Sequence, residues 1–120
     1  MRLLYTASGA DFCPVLAIAE FTPADVRTLR GMVAALAQGQ SDAADLDALA
    51  PCDIRLELRV ASDDQGICDT HPVFVCKLTR QSWMDVYDML EPFLVEEPHC
   101  YQWLADFGDV SLLISRGGMW

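Results

Sequence analysis

Residues 79–94 read TRQSWMDVYDMLEPFL. Trp83, Val86, Tyr87, Leu90, Phe93 and Leu94 recur at three- and four-residue spacing, so the stretch predicts an amphipathic helix. Thr79 can cap its first backbone amides. Asp85, Asp88 and Glu91 fall on the opposite side, because each residue turns the helix by about 100°. One face is aromatic and has to be buried; the other is acidic and wet. A helix with one buried face needs a sheet or another helix to cover it. The flanking segments are therefore read as its partners.

Upstream, Val73–Leu78 is a dense apolar run and predicts a central strand. Residues 52–61 alternate more cleanly: Ile54, Leu56, Leu58 and Val60 on one side, Arg55, Glu57 and Arg59 on the other. That predicts a strand with one buried face and one open face. Residues 62–66, SDDQG, are a turn. A second helix begins at Thr22-Pro23-Ala24-Asp25, with Thr as N-cap, Pro at the first helical position and an acid in the first turn. Its stripe is Val26, Leu29, Val33 and Leu36; Gly31 weakens its middle and Gly39 ends it. Ser41 is expected to open a short helical turn running to about residue 49, stopped by Pro51. Arg2–Thr6 and residues 12–21 predict an opening hairpin. Residues 99–105 and 109–115 predict a closing one, turned at Asp106-Phe107-Gly108 with Gly in the left-handed position. The order β-β-α-α-β-β-α-β-β describes one α+β domain over residues 1–120. It is expected to be a two-layer sandwich with two main helices on one face of a mainly antiparallel sheet.

Composition bounds the function. The chain of 120 residues is 52% hydrophobic and 22% charged, so it can bury a core and is not disordered. Its formal net charge of −10 argues against nucleic acid and anionic membranes, and favours a basic protein partner. No apolar run reaches the roughly 18–20 residues of a membrane span. The first twenty residues read as strand rather than signal peptide, since Asp11 interrupts them. Five cysteines, at 13, 52, 68, 76 and 100, form no secreted framework and suit a reducing cytoplasm. Seven Arg to one Lys and no Asn are what GC-rich bacterial coding would produce.

No phosphate loop, dinucleotide fingerprint, zinc-protease or nucleophile-elbow motif is present, so neither an enzyme nor a cofactor is expected. Cys68 and His71, with Cys76 or the His99–Cys100 pair, are the metal candidates, set against ordinary unpaired thiols. Cys76, inside a strand, reads as a small core hydrophobe. His99 and Cys100 would point to opposite faces of a strand, which argues against a nucleophile pair. Tyr101 and Trp103 share a strand face and are expected to meet the aromatic stripe of the helix. Two acidic sets, Asp85, Asp88 and Glu91, and Asp42, Asp45 and Asp47, could steer a basic partner in, and Phe107 at the hairpin tip could anchor it.

The closing stretch YQWLADFGDVSLLISRGGMW, with the acidic balance and the small α+β pattern, resembles small bacterial immunity proteins that neutralise toxins. The resemblance implies tight stoichiometric binding to a cognate toxin and no catalysis. Two readings compete: a self-associating, chaperone-like domain forming a homodimer through an uncovered sheet face or exposed edge, and a small Cys/His metal protein or enzyme around Cys68 and His71.

Overall fold

The computed structural model describes residues 1–6, 14–46, 54–67, 73–94, 101–105 and 108–115. Among these residues, eight strands and two α-helices follow in the order β1 (Arg2–Thr6), β2 (Val15–Ala19), α1 (Pro23–Ala37), β3 (Ala43–Asp45), β4 (Arg55–Val60), β5 (Gly66–Ile67), β6 (Val73–Leu78), α2 (Arg80–Met89), β7 (Tyr101–Ala105) and β8 (Ser111–Ser115). The class is α+β with two main helices, as the periodicities imply.

The strands form two four-stranded sheets. A terminal sheet has the order β1-β2-β8-β7, and a middle sheet has the order β3-β4-β6-β5. Each has a parallel central pair, β2 with β8 and β4 with β6, flanked by antiparallel edges. Both expected hairpins are present, and Val73–Leu78 lies inside its sheet. The parallel pairs were not legible in the sequence, because a β2–β8 pairing joins segments nearly a chain length apart. One local expectation is corrected: Ala43–Asp45 is an edge strand on β4, where a helical turn was expected. The backbone pairing offered by β4 outweighs the weak local preference of a short Asp- and Ala-rich segment.

Each helix carries the chain from one sheet to the other. Thr22 caps α1 in a full capping box: its hydroxyl accepts from the Asp25 backbone N–H, and the Asp25 carboxylate accepts from the Thr22 N–H. Thr79 caps α2 by accepting from the Ser82 N–H. α2 ends at Met89 and passes into a short 3₁₀ turn over Glu91–Leu94. The amphipathic pattern thus outlasts the α-helix, since Pro92 has no N–H to give an i−4 carbonyl and disfavours helical geometry at Glu91.

The helices run antiparallel and cap each other. Arg80, at the start of α2, donates to the Leu36 carbonyl at the end of α1 (2.7 Å). Arg30, in α1, donates to the Tyr87 carbonyl near the end of α2 (3.0 Å) and stacks 3.8 Å over the Tyr87 ring. Neither helix has a basic residue in its own last turn, so each takes a cation for its negative end from the other.

One core joins everything: Leu16 and Ile18 of β2, Val26, Leu29, Val33 and Leu36 of α1, Leu56 and Leu58 of β4, Trp83 and Val86 of α2, and Leu104 and Leu112 of the closing hairpin. Trp83 is 1% exposed and donates its indole N–H to the Arg59 carbonyl (2.9 Å), so its one polar atom is satisfied. The residual space at the centre, between Leu29, Val33, Leu58 and Trp83, is about 10 Å³. That is the least that could hold one water, so this part of the core is packing and not a ligand chamber. A smaller cluster, Val15, Ala17 and Leu113 with Leu4 and Trp103, occupies the other face of the terminal sheet.

The sheets meet at Gly108. Its φ is +75°, the left-handed value expected from its hairpin position. The backbone N–H groups of Asp109 and Val110 both donate to the Ile67 carbonyl of β5 (2.8 and 3.2 Å). A Cβ at Gly108 would stand 2.7 Å from the carbonyl oxygens of Gln65 and Ile67. Gly108→Ala is therefore expected to cost at least about 2 kcal/mol, combining left-handed strain with a backbone clash. Gly31→Ala, where an added Cβ meets nothing within 4 Å, should instead gain about 0.5–1 kcal/mol. Urea midpoints of the two variants measure this; equal shifts would refute the seam.

Asp25 and Asp64 sit below the ordinary aspartate range. For Asp25 the main cause is the Thr22 backbone N–H; for Asp64 it is the Thr79 backbone N–H, then the Ser82 hydroxyl. A lowered folded pKa stabilises fully above the unfolded value, about 3.9, and the contribution is lost as pH falls through the folded value. Stability should therefore drop below about pH 4. Asp64→Asn should flatten part of that drop in urea titrations at successive pH values; an unaltered slope would show that the bonds to Asp64 contribute nothing.

Candidate functional site

The expected site residues divide by what they touch. Asp42 accepts from Arg80 (3.0 Å), whose other guanidinium nitrogen holds Leu36. Asp45 accepts from Arg55 across the edge of the middle sheet (3.1 Å). Glu91 stands 4.0 Å from Arg30 and is well exposed, so that pair is weak. Asp85 and Asp88 are exposed on α2 and form no ion pair among the described residues; Asp85 accepts only a long 3.4 Å bond from Gln81. Asp47 and Phe107 lie outside the described residues, as do Cys68, His71, His99 and Cys100.

Cys76 is fully buried in the core, and burial pushes its thiol up to about 12. At neutral pH it is a thiol rather than a thiolate, which suits neither a nucleophile nor a zinc ligand. Among the described residues, no three His, Cys, Asp or Glu side chains come close enough to hold a metal ion. No helix among them is long and apolar enough to cross a membrane.

Asp85 stands beside a cleft between α2 and the closing hairpin. The cleft holds about 200 Å³ and is lined by Leu78 of β6, Ser82, Asp85 and Met89 of α2, and residues 103–105 of β7. Ser82, Asp85 and Met89 follow at three- and four-residue steps, so they form one stripe of the helix. Asp88, three residues beyond Asp85, extends the carboxylates along the neighbouring surface. Ser82 donates its hydroxyl to Asp64 (2.7 Å), which places a second carboxylate one bond behind the cleft wall.

The far wall differs from the sequence expectation. Tyr101 and Trp103 do not join the aromatic stripe of α2 in the core. Leu104 faces the helices there, while Trp103 packs with Val15, Ala17 and Leu113 on the other sheet face. Trp103 pairs with Leu113, and the register of β7 on β8 shifts only after it, so that Leu104 and Ala105 both join the main core. Trp103 stays half-buried, meets Tyr101 edge-on at 6.4 Å and borders the cleft. Trp103 and Leu104 stand on opposite faces, as alternation predicts, and both border the groove at the sheet edge. Among the described residues, the lining joins one exposed carboxylate to Trp103 and an apolar floor, and none of it is basic.

The middle sheet has the open face that its alternation implied. Arg55 and Arg59 are exposed, with Glu57 half-buried between them and Lys77 and Val73 on neighbouring β6. Arg59 pairs with Glu57 (2.7 Å) along the same strand. A broader depression of about 360 Å³ lies between the helices, bordered by Arg27, Arg30, Gly31, Ala34, Tyr87 and Leu94.

Comparisons with protein-family models, curated proteins and solved structures find no match.

The ion pairs imply different roles for the two acidic sets. Arg80→Ala should cost about 1–2 kcal/mol, because it strips a carbonyl cap from α1 and a partner from Asp42. Asp42→Ala should cost under about 1 kcal/mol, since Arg80 keeps its bond to Leu36. Thermal or urea unfolding of both variants checks the ranking; a larger loss for Asp42→Ala would reverse the assignment of the Leu36 bond as the main one.

Proposed function

We propose that this chain is a non-catalytic, acidic protein-binding domain that neutralises a cognate bacterial toxin in the cytoplasm, as an immunity protein. The observation that carries the reading is the exposed pair Asp85 and Asp88. In a chain of net charge −10, the described basic side chains are largely engaged with carbonyls or with other acids, including Asp42, Asp45 and Glu91. Among the described residues Asp85 and Asp88 have no such partner; Asp85 borders the cleft, and Asp88 is exposed three residues further along α2. Exposed carboxylates of one sign accelerate encounter with a basic surface, while an adjoining apolar floor supplies area for a contact that lasts. Asp47 and Phe107, which lie outside the described residues, are proposed as partner contacts on the sequence alone; Asp42 and Asp45 would contribute through the long-range field while keeping their arginines.

A second reading draws on the open face of the middle sheet. Its mixed row of Arg55, Glu57, Arg59, Lys77 and Asp45, with Val73 42% exposed, has both charge signs and could match a second copy of itself. A homodimer through this face would appear in sedimentation velocity as a concentration-dependent shift at micromolar protein; a constant monomer removes it.

The main reading predicts that the tagged protein retains one stoichiometric basic partner from its source lysate at low salt, and less of it at moderate salt. With that partner in hand, Asp85→Lys combined with Asp88→Lys should slow association by about tenfold or more and reduce its salt dependence. Stopped-flow or surface-binding kinetics measure both. Unchanged association and affinity would remove α2 from the interface.

A further inference from the structure

We infer that the cleft between α2 and β7 is the receptor for a single arginine side chain of the protein partner. The inference rests on the protein-binding reading and assigns the chemistry of its central contact. Size sets the first limit. The cleft holds about 200 Å³, below the range of roughly 300–1,000 Å³ typical of small-molecule sites, and so suits one inserted side chain better than a metabolite.

Charge sets the second limit. Among the described residues, the lining contains one carboxylate, Asp85, and no cation, and Asp64 adds a second negative charge one hydrogen bond behind Ser82. A carboxylate of the partner would be repelled, and a neutral polar group would leave Asp85 without a counter-charge. A cationic head meets both needs.

The walls choose among cations. Leu78 and Leu104 are almost fully buried and form an apolar floor, with Met89 beside them, fit to hold a methylene stem. Trp103 borders the cleft from the edge of β7 while its side chain packs with Val15, Ala17 and Leu113 on the other sheet face, and an indole is the aromatic group that attracts cations most strongly. Arginine has a planar, weakly hydrated head that stacks on aromatic rings while its fork bonds a carboxylate, whereas the lysine ammonium is compact and strongly hydrated. Asp85 stands where that fork would arrive from solvent, and among the described residues its one hydrogen bond is the long one from Gln81. In an interface, such an arginine is the kind of desolvated anchor that carries a large share of the binding energy.

The inference can be tested without the partner. The probe is the blocked pentapeptide Gly-Gly-Arg-Gly-Gly, titrated into the ¹⁵N-labelled full chain and followed by two-dimensional NMR. Its controls are the same peptide with citrulline, a neutral near-isostere of arginine, and with lysine. Arginine should shift the amides of Asp85, Met89 and Leu104 and the indole N–H of Trp103, saturating at about millimolar concentration, as befits one side chain. Citrulline should bind at least about tenfold more weakly, and Asp85→Asn should weaken the arginine peptide by a similar factor. Asp85 is exposed, so its variant should keep the parent spectrum away from the cleft.

Three results would overturn the inference: no shift at these residues with tens of millimolar arginine peptide, an equal response to citrulline, or an undiminished response in Asp85→Asn. The wider reading fails on a different measurement. Arginine binding in the cleft with no partner retained from lysate would leave the site standing and remove the proposed neutralising role. Slowed association in the charge-reversed variant with no peptide response would keep the role and remove the cleft.

Discussion

The contact between Gly108 and the backbone of β5 is the constraint on which the two-sheet arrangement depends. Two N–H groups converge on the single Ile67 carbonyl, and the approach leaves no space for a Cβ. Without that approach, β8 could not begin flush against the edge of the middle sheet. The terminal and middle sheets would then present their apolar faces to separate volumes. With it, both sheets turn toward one pair of helices, and Ile18, Leu58, Trp83 and Leu112 meet in a core with almost no residual space.

The helices complete this arrangement by electrostatics as well as by packing. Arg30 and Arg80 each cross from one helix to a carbonyl near the end of the other, and Arg80 also binds Asp42. Helix C-termini gather partial negative charge, and in an acidic chain that charge needs cations. Using scarce arginines this way has a consequence at the surface. Asp42 and Asp45 become parts of the scaffold, while Asp85 and Asp88 remain exposed to solvent and to any positively charged partner.

Asp85 gains its interest from its neighbours. As one acid on a helix it would be a solvated group like many others. Its position beside Ser82 and Met89, with Trp103 and Leu104 opposite, makes it the polar edge of an apolar slot. The opposite wall comes from β7, whose pairing with β8 shifts register between Trp103 and Ala105. Irregular sheet edges of this kind commonly redirect side chains toward binding surfaces.

Local chemistry made much of this protein readable from its residues. The Thr22–Asp25 capping box, the Thr79 cap, the alternation in β4, the central run of β6 and the left-handed Gly108 all depend on neighbours in sequence, and each formed as its spacing implies. The acidic face of α2 was readable for the same reason, since residues three apart share a face whatever surrounds them. Long-range pairing was decided elsewhere. The division into two sheets, their parallel central pairs and the strand at Ala43–Asp45 depend on partners that periodicity does not identify. The same holds for which carboxylates find an arginine, and for the packing of β7 that sets Leu104 across the cleft from Asp85. Periodicity assigns a side chain to a face, but what lies across that face is settled only when distant segments compete to bury it.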